Sequence, residues 1–332
     1  MNSLIESLGA LVTPDIAKKV AKHLGVDAGM VEKGAKILGA LAVGNLARKA
    51  AHPSGASAAF QALPQREQPG LLSSLLTALK GDMPDETASD RMHAMFGGGA
   101  NSMVSALSKK LGFNVGPLAA MLAPLVGQHL AKAVKQKSLD AGGFGKMLQD
   151  GFKAFREDPA HAESAALVDA ALDVGDQAEH LRARFTPHEL EEVHIAPMAA
   201  CAFIAKASPS GLSGSLAEFK AANRVSMELL KDASPISLLG SLFGGGLSSA
   251  EAAELKREAQ GDGQELLRTI HESAEIVKTK APAEMDTFRR LVNDVARNVA
   301  EATKEGGFLG FGGRQVSDKE QAAMERIAAA VA

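Results

Sequence analysis

The chain is expected to be all-α, with two helical domains that each carry an internal helical repeat, and three observations support this. Hydrophobic residues make up 46% of the sequence, much of it alanine, while aromatics are 4% and all phenylalanine. Such a β-branch-poor composition favours helices over strands. Helix starts are marked by capping residues along the chain, and 332 residues suffice for two domains that each bury a core.

In chain order, Thr13-Pro14 is the first mark, a capping hydroxyl before a proline at the first helical position, so a helix starts near 14. LGVDAGMVEKGAKILGALAVGNLARKA begins at Leu24, and LGFNVGPLAAMLAPLVGQHLAKAV begins at Leu111. Both read Leu-Gly, apolar, Asp or Asn, any residue, Gly, then an apolar helix with a basic end. Gly25 and Gly112 are the expected C-cap glycines, and Asp27 and Asn114 the N-caps that follow. Gly29 to Gly44 spans 15 residues and Gly116 to Gly127 spans 11, a difference of one helical turn. The segment from Pro117 is apolar but holds Gln128, His129 and Lys132, so it reads as a buried helix and no transmembrane span is expected.

Residues 138–160 read as a linker with a short helix, bounded by a Gly142-Gly143 turn and the Asp158-Pro159 step, between domains at 1–137 and 161–332. In the second half, capping boxes at Thr186/Glu189, Ser248/Glu251 and Ser317/Glu320 start helices near 187, 249 and 318. Amphipathic stretches cover 193–207 and 266–302, the latter with a break at Pro282. Residues 1–150 carry a net charge of +5 and residues 151–332 a net of −8, so the halves face different partners or each other.

MFGGGANSMVSALSKKLGFNVGPLAAMLAPLVGQHL, residues 95–130, resembles the YidB-like family of bacterial proteins of unknown function. With the copy at 24–51, that resemblance implies a small, homeodomain-like helical fold and carries over no catalytic residue. In the acidic half, Phe203 to Ser213 parallels Val299 to Glu320: a helix ending in Ala-x-Ala or its like, a glycine turn, a serine cap and a new helix. This is similar to the tellurite-resistance TerB-like helical domain, whose halves carry Ala-Asp-Gly-x-Ile-Ser-x-x-Glu. Ser208 and Thr303 stand where that family has Asp, and Leu216 replaces Glu, so only Glu320 matches an acidic position. The resemblance thus implies the fold more than a metal site, which these replacements remove; a divalent-metal-binding stress protein, with Glu320 its one candidate ligand, is a second alternative.

Candidate chemistry is sparse. GGFLGFGGRQVSDKEQ, residues 306–321, lacks both the third glycine of a dinucleotide loop and the Gly-Lys-Ser/Thr of a phosphate loop. It reads as an interhelical loop with an apolar tip, and Phe308, Leu309, Phe311, Gly312 and Arg314 form the candidate partner-binding site. Comparable runs at Met95–Gly99 and Leu242–Gly246 invite a peripheral membrane contact, but no lysine cluster or indole adjoins them. His188 and His194 are six apart and fall on different helix faces, unlike a zinc helix. His161-Ala-Glu163 lacks the P-C-x-x-C partner of a zinc deaminase. The single cysteine, Cys201, has apolar neighbours that point to a buried, inert thiol. Lys109, Lys110, Lys132, Lys135 and Lys137 form a candidate basic patch for nucleic acid, though without arginine to read guanine. The sequence reading is therefore a cytoplasmic, bacterial, non-enzymatic interaction or scaffold protein with a protein partner and no cofactor. Non-specific nucleic-acid binding is the alternative.

Overall fold

The computed structural model describes residues 4–65, 95–207, 233–243, 262–302 and 316–332. Among the described residues are thirteen α-helices and no strand, the all-α class that composition predicts. They form two compact units that divide between Glu179 and His180.

The first unit holds α1 (Leu4–Gly9), α2 (Pro14–Leu24), α3 (Ala28–Lys49), α4 (Pro53–Gln61), α5 (Ala100–Leu111), α6 (Gly116–Lys137), α7 (Ala141–Glu157) and most of α8 (Ala162–Arg182). α2 starts where Thr13 accepts from the Ile16 N–H, and ends at Gly25 in the left-handed region, φ 68°. α5 ends the same way at Gly112, φ 77°. Asp27 caps α3 through the Gly29 N–H at 2.7 Å. Asn114 makes the equivalent bond to Gly116 at 2.9 Å but sits one residue ahead of the cap, Val115.

The internal repeat is therefore real, but it has lost no turn, because α3 and α6 are each 22 residues long. Gly25 and Gly112 lie 87 positions apart, as do Asp27 and Asn114, and Gly29 and Gly116, so the two copies align without a gap. Gly44 and Gly127 are simply not equivalent. α2 buries Ile16, Ala17 and Val20, and at the same spacing α5 buries Met103, Val104 and Leu107.

α7 departs from the sequence reading. Gly142 and Gly143 lie in its first turn, where Asp140 accepts from the Gly143 N–H at 2.7 Å, and the helix runs 17 residues. Phe144, Leu148, Phe152 and Phe155 are buried in the first unit's core, so residues 138–160 contribute a packed helix. Two glycines at a helix start look like a turn in sequence, but the four-residue spacing of Phe144, Leu148 and Phe152 carries the helix. Phe60 of α4 meets Phe144 edge-on at 6.0 Å. A Cβ on Gly44 of α3 would lie 2.7 Å from the Phe152 ring, so this glycine sets how closely the helices approach.

The second unit holds α9 (Pro187–Ala207), α10 (Leu238–Phe243), α11 (Gly263–Lys280), α12 (Met285–Ala302) and α13 (Asp318–Ala330). The starts expected near 187 and 318 are present, and a 3-10 turn, Pro282–Glu284, breaks the long stretch where Pro282 predicts it. The start expected near 249 lies outside the described residues. α9 packs against α11, α12 and α13. Nearly all of Val193–Ala205 is buried, where the sequence reading has one amphipathic face. An alanine-rich helix with small residues on every side suits such a central position. At its start Glu189 and Thr186 form the expected box, at 2.7 and 3.2 Å. Lys280 of α11 pairs with Glu189 and also donates to Arg184 O at 3.3 Å. Its hydrogen bond, followed by that from the Thr186 backbone, holds the Glu189 carboxyl below its ordinary pKa.

Candidate functional site

The glycine-loop candidates Phe308, Leu309, Phe311, Gly312 and Arg314 lie outside the described residues. The two comparable runs are partly described, and their phenylalanines are engaged internally. Phe96 is 2% exposed in the first core, ahead of the turn Gly97–Gly99 that leads into α5. Phe243 lies edge-on against buried His194 at 4.8 Å. Neither ring is presented as a lipid-facing tip. No helix among the described residues is long and apolar enough to cross a membrane.

In the second unit, Glu320, Cys201 and His188 lie among the described residues. Glu320 is buried and completes a capping box, accepting from the Ser317 N–H and hydroxyl at 2.8 Å each. Cys201 is buried in the middle of α9. His188 is exposed and faces Glu192 at 3.6 Å, one turn along its own helix. No group of three metal-ligating side chains is found among the described residues. Sequence inspection missed Glu284, whose carboxylate accepts from the Leu238 and Leu239 N–H groups at 2.6 and 2.9 Å and so anchors the start of α10. No local signal marks it, since its partners are more than forty residues away.

The five lysines are exposed but fall into two groups: Lys109 and Lys110 end α5, just ahead of the start of α6, whereas Lys132, Lys135 and Lys137 line its last turns, about 24 Å or more along that helix. Lys135 donates to Gln65 O at 3.2 Å. Near them, His129 lies half-buried, and burial first and Lys132 second push its pKa down. The Ser7 hydroxyl lies 2.7 Å from Leu4 O and 2.9 Å from His129 Nε2, within hydrogen-bond reach of both.

A larger charged arrangement among the described residues lies between α8 and α3. α8 runs beside α3, with Lys33 paired to Glu163 at 3.0 Å, Arg48 forked between Asp173 and Asp176, and Lys49 facing Glu179 at 3.8 Å. Arg156 of α7 holds Asp169 at 3.0 Å. Burial alone would lower the Arg48 pKa, but the hydrogen bonds and charges of Asp173 and Asp176 prevail and raise it. The sequence signal is Asp169, Asp173, Asp176 and Glu179, spaced to share one helix face. Residues 151–179 hold seven acids and two bases, which brings the net charge of residues 1–179 from +5 to zero. The charge asymmetry seen in sequence is thus met inside the first unit.

Residues 6–150 match a family described as a bacterial protein of unknown function (DUF937), to which the YidB-like resemblance corresponds. The C-terminal half has no family match. No curated protein and no solved structure matches the chain.

Proposed function

We propose that the protein is a non-enzymatic helical interaction or scaffold protein that binds a protein partner through residues 306–313. The observation that supports this reading is how the chemistry-bearing side chains of the second unit are used: Glu320 caps α13, and His194 and Cys201 pack inside. Helices rich in alanine and glycine approach one another closely, which builds a firm frame for a recognition loop. Phe308, Leu309 and Phe311 are the apolar anchors of that segment, and Arg314, the residue after it, an ionic one. In the TerB-like, divalent-metal alternative, Glu320 would have to leave its cap. The nucleic-acid alternative rests on Lys109, Lys110, Lys132, Lys135 and Lys137, whereas the acids of α8 pair with other cations, Lys33, Arg48, Lys49 and Arg156.

The test is affinity purification from the native host, comparing the wild type with a variant lacking residues 306–313, with bound protein, lipid and nucleic acid all quantified. A protein partner held by the wild type and lost with the loop is the expected result. Recovery of nucleic acid or lipid alone, equally from both forms, would refute the reading.

A further inference from the structure

The seat of α8 on the first unit is built like a binding face. α3 offers Lys33 near its start and Arg48 and Lys49 at its end, 15 residues or about 22 Å apart along the helix. α8 offers Glu163 and Asp176 13 residues apart, about 20 Å, so the pairs are in register with the two helices running the same way. Between the charged ends the contact is made by small residues. A Cβ on Gly44 would lie 3.0 Å from Leu172, and one on Gly99 would lie 2.7 Å from Gly175 O. The Gly99 N–H, at the start of α5, donates to Glu179 at 3.3 Å. α8 buries Ala165, Val168, Ala171, Leu172, Gly175 and Ala178, of which only Val168 and Leu172 are large, so its apolar seat is shallow and the ion pairs set its register. The basic residues and the glycines of the face all lie within 6–150, the span that matches the family, whereas α8 starts at 162, beyond it.

We propose that Lys33, Gly44, Arg48, Lys49 and the Gly97–Gly99 turn form a docking face for an acidic, small-residue helix of a partner protein, and that α8 occupies it in cis as a displaceable stand-in. The partner's chemistry is read from α8 itself: carboxylates along one stripe, Ala or Gly at the close approach, and a carboxylate at the N-terminus of α5. The proposal uses none of residues 306–313, so either proposal can fail without the other.

Two measurements on the full chain decide it. In hydrogen exchange, residues 162–179 of the wild type should exchange at least tenfold faster in 1 M than in 0.05 M KCl, while α3, α6 and α7 keep their protection. If α8 opens only together with α3 at both salt concentrations, it is a core helix and the proposal is overturned. The second measurement uses a labelled peptide of residues 160–179. It should bind the Asp173→Asn, Asp176→Asn, Glu179→Gln variant at least tenfold more tightly than the wild type, and adding Arg48→Glu should remove that gain. No gain, or a variant in which duplex DNA binds and the peptide does not, would also overturn the proposal. Should that variant lose the protection of α3, the salt comparison on the wild type decides alone.

Discussion

Ser102 and His129 show how single side chains set the conditions under which the first unit is stable. The Ser102 hydroxyl is fully buried and has no hydrogen-bond partner among the described residues. An unpaired buried hydroxyl carries its desolvation cost uncompensated, so Ser102→Ala should raise stability by about 1 kcal/mol. Urea denaturation measures this, and a loss of stability would show that the hydroxyl is satisfied in solution. His129 gives a pH signature. Its folded pKa lies below its ordinary value, so the unfolded chain takes up the proton first. The stability it contributes is whole above about pH 6.5 and is lost as pH falls through the folded value. Denaturation midpoints at pH 7.5 and 5.0 should therefore differ more in the wild type than in His129→Gln. An equal difference in both would remove His129 as the source.

For whole elements, the sequence was most legible where the physics is local. Thr13, Thr186 and Ser317 mark their helices because a cap needs only residues within a turn of itself, and the left-handed Gly25 and Gly112 mark ends for the same reason. Legibility fails where a helix is defined by what it touches. The Gly142-Gly143 pair conceals the start of α7, and α10 depends on Glu284, far along the chain. Removing that anchor with Glu284→Ala should leave two N–H groups unpaired and cost about 2 kcal/mol. Thermal melts would register this, and an unchanged midpoint would show that α10 is held by its leucines alone. Close approach is equally invisible in sequence. Gly44→Ala places a Cβ 2.7 Å from the Phe152 ring, so overpacking should cost about 2 kcal/mol. A neutral result would mean that α7 shifts freely.

For the molecule as a whole, composition alone predicts the helical class, and the repeat within residues 24–137 predicts a duplicated arrangement. The division between Glu179 and His180 was not legible, because the acidic stripe of α8 resembles the second half in composition yet packs with the first. Charge summed over half a chain says which fields attract; only the fold says which helix answers. Of the candidate site, the lysines were legible as exposed charges, whereas the pairing of Lys33, Arg48 and Lys49 depends on a helix beyond the basic half. The burial of Cys201 has a practical consequence. As the chain's one thiol, within the second unit, it makes a chemical stopwatch for that unit alone. A thiol-specific reagent added in excess would report, one label per molecule, how often the second unit opens, with no signal from the first.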